Sequence, residues 1–255
     1  MMHRAPKSYR VMTYNVHRCV GLDRRHDPAR IAEVIARADP DVVALQELEV
    51  GHPRTEGLHQ PRRLADLLGM DVHYHPARQA GGAGFGNAIL SRLPVHGVRS
   101  ATLPRHRFLP LQRRGALSAS ILFGNQEVRI FNTHLGLVHG ERVLQAGALC
   151  GSGWLDHPEC RERPRIVCGD FNATPRSSVY RLFDGGLRDA QTVSGGRARR
   201  TWPSFLPVTR YDHVFVCPKI AVMKVDVPRT PLTRVASDHL PLVVDVQLHA
   251  EPGGV

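Results

Sequence analysis

Hydrophobic positions along the chain switch repeatedly between a two-residue and a 3.6-residue period. Tyr9 to Val16 (YRVMTYNV) reads as a buried strand ending in Asn15-Val16-His17. Asp27-Pro28 then supplies an N-cap and a proline at the first helical position. Ile31, Val34, Ile35 and Ala38 follow at i, i+3, i+4 and i+7, the stripe of an amphipathic helix that Asp39-Pro40 stops. Asp41 to Gln46 (DVVALQ) predicts a second strand, delivering Glu47 at its end. Strand, helix, strand in that order is a crossover unit. Further on, Gln60 to Leu68 is helical and closed by Gly69, Val72 to His75 is a short strand, and Asn87 to Leu90 is another. The intervening Gly81-Gly82-Ala83-Gly84-Phe85-Gly86 precedes a strand and not a helix, so it reads as a flexible loop and not as a dinucleotide site. Gly115 to Phe123 and Val128 to Thr133 flank Gly124-Asn125-Gln126-Glu127 as an antiparallel hairpin, with His134 directly after it. Helices are expected over Glu141 to Leu149 and Ser177 to Phe183, and a polar loop over Arg188 to Arg200. Three strands close the chain, Asp212 to Val216, Ile220 to Val227 and Leu240 to Leu248. Crossovers mixed with hairpins predict an α/β fold of two mixed sheets packed face to face with helices outside. No Pro/Gly/Ser-rich linker divides residues 1–255, so the expectation is one domain with its core over about 9–248.

Composition narrows the setting. No run reaches the roughly 18 apolar residues of a membrane span, and residues 1–10 lack the apolar stretch of a signal peptide. The five cysteines are scattered, without a Cys-x-x-Cys pair, which argues against a disulfide framework or a thiolate zinc site and makes a cytoplasmic protein the simplest expectation. The formal charge of +11 favours polyanions or an anionic membrane surface. Because nearly all the basic residues are arginines, a compositional preference for arginine accounts for the excess equally well.

The chemistry lies at the ends of the strands. Ile166 to Asn172 (IVCGDFN) is an apolar run followed by Gly169, where the backbone can approach closely or take a positive φ, and by Asp170 and Asn172, two apart and so on one side of an extended chain. Asn15, Glu47, Asn87, His134, Asp212, Asp238 and His239 repeat this grammar of apolar strand followed by a polar group. Thr13-Tyr14-Asn15-Val16-His17, Leu45-Gln46-Glu47, Gly86-Asn87-Ala88-Ile89-Leu90-Ser91-Arg92, Asn132-Thr133-His134-Leu135, Gly169-Asp170-Phe171-Asn172, Tyr211-Asp212-His213-Val214 and Ser237-Asp238-His239 occur in the order seen in the endonuclease/exonuclease/phosphatase superfamily, which the chain resembles over nearly its whole length.

The resemblance implies a four-layer α/β/β/α sandwich, a site at one rim, Mg²⁺ or Mn²⁺, and hydrolysis of a phosphoester. Residue types agree, since phosphodiester hydrolysis needs a cation, donors for developing charge and a group that activates water. Glu47 is the expected metal ligand, with Asn15 supporting the metal or a phosphate oxygen and Asp238 as a further candidate ligand. His239 and Asp170 compete for the role of general base, and Asn172 is expected on the phosphate. His134 is expected to donate to phosphate or leaving group, oriented by Asp212, with Asn87 bracing the site. Arg114, and also Arg18, Arg92 and Arg142, are candidate phosphate contacts.

Two loops bear on the substrate. Arg105 to Arg114 mixes arginines with Phe108, Leu109 and Leu111, and Trp202-Pro203-Ser204-Phe205-Leu206-Pro207 precedes the Asp212 strand. Apolar tips among arginines suit a protein resting peripherally on an anionic bilayer, as for a phospholipid or sphingolipid diester. They equally suit stacking on bases of a nucleic acid, as for a DNase I-like or abasic-site endonuclease, or plain packing onto the sheets. An inositol phosphate phosphatase fits these loops less well, and an inactive binding module with the same fold would require lost ligands that are all present. A monomer without an obligate protein partner is expected.

Overall fold

The computed structural model describes residues 7–106 and 110–249. The first half runs β1 (Tyr9–Asn15), α1 (Pro28–Ala38), β2 (Val42–Val50), α2 (Gln60–Leu68), β3 (Asp71–Ala80), β4 (Ala83–Ser91), β5 (Val95–Thr102), β6 (Gly115–Phe123) and β7 (Gln126–His134). The second half follows with α3 (His139–Cys150), α4 (Pro158–Arg161), β8 (Arg165–Asp170), α5 (Ser178–Asp184), β9 (Arg188–Asp189), α6 (Ala190–Val193), β10 (Asp212–Val216), β11 (Ile220–Asp226), α7 (Pro231–Ala236) and β12 (Leu242–Leu248). The strands form two six-stranded sheets, ordered β11-β12-β1-β2-β4-β3 and β5-β6-β7-β8-β10-β9. Each sheet holds one parallel pair, β1 with β2 and β7 with β8, and its other pairs are antiparallel. These two mixed sheets, with helices outside, match the α/β/β/α sandwich that the sequence resemblance implies.

Alternation along the strands builds the layers. In β1, Val11 joins the core between the sheets, while Met12 and Tyr14 join a separate cluster with Ile31 and Ile35 of α1 and Leu64 of α2. Helix α1 begins as its sequence specifies, with Asp27 Oδ1 accepting the Arg30 N–H at 3.0 Å. On the other sheet, Phe171, Phe183 and Phe215 pack ring against ring, with Phe183 of α5 stacked on Phe215 at 5.5 Å. Between the sheets a polar tie crosses the apolar core. Gln46 Nε2 donates to Asn132 Oδ1 at 2.8 Å, and Asn132 Nδ2 donates to the carbonyls of Leu45 and Ala88. Every such bond satisfies a group that would be costly to bury alone.

Several expectations are corrected. Strand β3 runs to Ala80, well beyond His75, and the expected loop at 81–86 is a two-residue turn, Gly81-Gly82, with φ of 57° and 81°, after which Gly84 to Gly86 belong to β4. Strand β5, at the end of its sheet, has no counterpart in the hydrophobic pattern, and residues 188–193 of the expected polar loop form β9 and α6. Edge strands bury little, so they lack the apolar signal that reveals a central strand. Helix α7 likewise goes beyond the expected elements. Glu47 does not end β2. It sits within it, at an irregularity between Leu45 and Leu48, with φ of 61°. A non-glycine residue held there costs about 1–3 kcal/mol, a cost characteristic of functional positions. Among the described residues no helix is long and apolar enough to cross a membrane, and the five cysteines are free. Arg107, Phe108 and Leu109 lie outside the described residues.

Candidate active site

Strand register brings the site together. In the β5–β10 sheet Asp170 pairs with His134 across the parallel ladder and with Asp212 across the antiparallel one, so three functional residues form a row. In the other sheet Asn15 pairs with Gln46, which places the bulged Glu47 next to it. The two sheets meet through Asn15, whose Nδ2 donates to Glu47 Oε1 at 3.1 Å and to Asp170 Oδ2 at 3.0 Å. Gly169 makes the row possible. Its φ is 147°, and a Cβ there would lie 1.9 Å from the Thr133 carbonyl oxygen. The loop after α7 adds the last residues. Ser237 Oγ donates to the Asn15 carbonyl at 2.8 Å and faces the His239 N–H at 3.2 Å, which fixes His239 over the row.

Within this cluster the partners differ from those expected. Asp212 Oδ2 lies 2.9 Å from Nδ1 of His239, not beside His134. The expectation that Asp212 orients His134 is therefore wrong, because Asp212 reaches across to the residue the last loop delivers. His134 is held instead by Arg114, whose Nη1 is 3.0 Å from His134 Nδ1. A guanidinium only donates, so Nδ1 accepts and the proton of the neutral ring sits on Nε2, which lies between Asp170 Oδ2 at 3.3 Å and Asn172 Nδ2 at 3.2 Å, of which only the carboxylate oxygen can accept it. Arg114 is only 6% exposed, and its guanidinium is turned to His134 rather than outward to a phosphate. Asn172 is not extended. At φ 48° it closes a turn in which its N–H donates to Asp170 Oδ1 at 2.9 Å, and its Nδ2 donates to the Leu135 carbonyl, so it braces Asp170 rather than standing free for a phosphate. Asn15 Oδ1 accepts the His17 N–H at 3.0 Å, making the amide a bracket between two carboxylates rather than a ligand. Asn87 Nδ2 donates to the Gly115 carbonyl at 3.0 Å and so ties β4 to the residue after Arg114.

Exposure grades the site from floor to mouth. The side chains of Asp170 and His134 are 2% and 4% exposed, Glu47 is 17%, and Asp238 is 33%, with its Oδ1 3.9 Å from His17 Nδ1. Arg18 Nε lies 3.9 Å from Glu47 Oε2 at the mouth. Arg142 bonds the carbonyls of Gly136 and Leu137, and Arg92 pairs with Asp39 where β4 ends and β2 begins, at the opposite end of the strand from Glu47. Burial opposes a charge on His239, but Asp212 and then Asp170 outweigh it and lift the imidazole to about 10. Burial pulls His134 well below its ordinary value, and the charges of Arg114 and His239 deepen that. Burial raises Asp170, with His239 opposing it.

The donor set accommodates a hard cation. Carboxylate oxygens of Asp170 and Asp212 lie within 4.8 Å of one another and of the His239 ring, Glu47 stands beside them, and Asp212 Oδ1 is buried without a partner among the described residues. An orphaned buried carboxylate oxygen calls for a donor or a cation. Sequence reasoning misses two supports of the site, the Ser237 hydroxyl and the inward role of Arg114. Ser237 stands in the Ser237-Asp238-His239 motif, but nothing in its residue type announces a tie to Asn15. Arg114 is indistinguishable, as a residue type, from the many arginines on the surface.

A mixed two-sheet sandwich with carboxylates, histidines and amides gathered at one rim is the architecture of the DNase I-like class. The chain belongs to the endonuclease/exonuclease/phosphatase family, whose sequence profile matches residues 12–239 and whose members are hydrolases of phosphoesters. It is 28% identical over 254 residues to the uncharacterized protein YbhP of Escherichia coli strain K12, covering 94% of this chain and 97% of that one. Among solved structures, an endonuclease/exonuclease/phosphatase from Beutenbergia cavernae matches 97% of this chain and 73% of its own at 27% identity and a TM-score of 0.75. The human Nocturnin catalytic domain, solved with a bound sulfate anion, shares the fold at 22% identity, 97% and 95% coverage and a TM-score of 0.75.

Proposed function

We propose that the chain is a phosphodiesterase that hydrolyses its substrate by attack of water with the help of Mg²⁺ or Mn²⁺. The observation that carries this reading is the convergence of Glu47, Asp170 and His239 in one cluster, tied together by Asn15, Ser237 and Asp212, although they arise from different sheets and a loop. Glu47, more accessible than Asp170 and Asp212, would hold the cation, in keeping with the one or two carboxylates and retained waters that Mg²⁺ prefers. When bound, the cation neutralises a non-bridging oxygen and the charge that grows at phosphorus.

The side chains take the remaining work. His239, flanked by Asp212 and Asp170, carries its proton and donates to a phosphoryl oxygen, which supports Asp170 and not His239 as the base. Asp170 Oδ2 accepts a proton from water, while Asn172 and Asn15 hold the carboxylate in place. His134, locked by Arg114 with its proton on Nε2, directs that proton at Asp170 Oδ2 and so steadies the carboxylate. The resting arrangement is therefore preorganised before substrate arrives, the condition under which electrostatic stabilisation is most effective.

The test is hydrolysis of bis(p-nitrophenyl) phosphate. Turnover with Mg²⁺ or Mn²⁺, its loss in EDTA and its recovery on adding metal back are expected. A rate indifferent to chelation overturns the metal-assisted reading. A lipid diester is an alternative reading, supported by Phe205 and Leu206, which are 60% and 64% exposed on a loop whose Ser204 N–H bonds the Asp238 carbonyl. Binding to anionic vesicles that disappears in a Phe205→Ser/Leu206→Ser variant would support it, and failure to bind vesicles at any salt concentration removes it.

A further inference from the structure

Beside the mouth of the site lies a groove of about 520 Å³ lined by Arg18, Arg78, Arg105 and Arg113 around Phe85. Its acidic lining residue, Glu49, is already neutralised by two hydrogen bonds from Arg54. Arg78, Arg105 and Arg113 are exposed and make no ion pair among the described residues. Guanidinium groups stay charged at any relevant pH, so the groove presents an excess of positive charge.

The groove is continuous with the catalytic cluster. Glu49 follows Glu47 along β2 and pairs with Phe85 of β4, so the groove floor extends the strand that carries the candidate metal ligand. Arg18 joins the two. It is held at φ 58°, with its guanidinium 5.9 Å from the centre of the Phe85 ring and Nε 3.9 Å from Glu47 Oε2. His17 and Cys19 on either side are left-handed too, so it is this turn as a whole that sets Arg18 at the junction. Arg113 precedes Arg114, the residue that fixes His134, so both sides of the groove are anchored to the site.

We infer that this groove is an additional phosphate subsite, which takes phosphates of the substrate beyond the one being cleaved, and that its occupant is a single-stranded nucleic acid. The inference deepens the phosphodiesterase reading and rests on it for the identity of the scissile group. The aromatic ring decides for a strand. Four arginines alone would suit any polyphosphate, but a half-buried Phe85 among them offers a face for a base, which a compact polyphosphate or an inositol headgroup does not use.

The experiment is equilibrium binding of a fluorescein-labelled single-stranded DNA 12-mer to the full chain in EDTA, read by anisotropy over a range of salt. No hydrolysis occurs or is needed, so an inactive protein that binds leaves this inference standing, and an active one with unaltered binding sinks it alone. The Arg78→Gln/Arg113→Gln variant is expected to bind about tenfold more weakly, with the slope of log affinity against log salt shallower by about 1.4 for the two lost phosphate contacts. An Arg37→Gln/Lys224→Gln variant makes the same change in net charge at a different pocket and should bind as the wild type does. Equal weakening in both variants, or none in the first, overturns the proposal. Inorganic tripolyphosphate separates the sources. If the groove variant loses affinity for tripolyphosphate while the oligonucleotide binds normally, the strand assignment is wrong.

Discussion

Two adjacent residues of β10, Asp212 and His213, each complete an aspartate–histidine pair, and alternation along the strand puts the pairs on opposite faces of the sheet. On one face both oxygens of the carboxylate and both nitrogens of the imidazole are engaged. Asp189 Oδ2 faces Tyr180 Oη at 3.0 Å, Arg210 Nη2 at 2.7 Å and His213 Nδ1 at 3.1 Å, and its Oδ1 accepts the Gln191 N–H. The remaining nitrogen of His213 meets the Ala173 carbonyl at 2.9 Å. On the other face Asp212 holds His239, but its Oδ1 has no partner among the described residues. There His239 Nε2 stands 3.6 Å from Asp170 Oδ2, too far for a good hydrogen bond. The same two residue types thus do different work. A saturated network locks a fold, whereas unspent hydrogen-bonding capacity in a cleft is available to a substrate.

Substitutions sharpen that contrast. The largest effects belong to the open cluster. Glu47→Ala, Asp170→Ala and His239→Ala should each lower the rate of phosphodiester hydrolysis by about 10²-fold or more, the scale of a lost preorganised group, with the circular dichroism spectrum unchanged. Wild-type rates in all three would refute the site. The closed network should fail differently. Asp189→Asn leaves Arg210 and His213 facing a neutral amide and should cost about 3–5 kcal/mol in urea denaturation, with the specific activity of the folded fraction retained.

Acid provides a milder probe of the same network. Burial alone would raise Asp189, but the hydrogen bond and charge of His213, with Arg210 behind them, outweigh it and hold the carboxyl below its ordinary value. A depressed carboxylate stabilises the fold fully above its unfolded value of about 3.9, and that stabilisation is lost as pH falls through the folded value. Urea midpoints should accordingly drop on the acid side of about pH 4. Asp189→Asn should flatten part of that decline, and an unchanged pH profile in the variant would remove Asp189 as its source. Smallest of all, Tyr180→Phe deletes one of several donors to Asp189 and should cost about 1 kcal/mol, visible as a shifted midpoint with an unchanged slope.

How far the sequence can be read follows the same division. Central strands announce themselves through apolar runs, and the polar residues at their ends are identifiable because register aligns them, His134 with Asp170 and Asp170 with Asp212. Edge strands β3 and β5 are shortened or missed because half-exposed strands carry mixed residues. The partner of Asp212 is misjudged for a geometric reason. Sequence places both His134 and His239 near it, and only the path of the last loop, tied by Ser237 to Asn15, decides between them. Arg114 resembles a phosphate contact because nothing in a sequence separates a buried arginine from an exposed one. The bulge that turns Glu47 toward Asn15 is also invisible, since its cue is a backbone angle and not a residue type.

The most direct measurement is the rate of bis(p-nitrophenyl) phosphate hydrolysis by Asp212→Asn beside Asp189→Asn, each under conditions where the protein is folded. The account predicts a loss of about 10²-fold in the first and the wild-type rate in the other. Equal rates in the two variants, whether both high or both low, would contradict it.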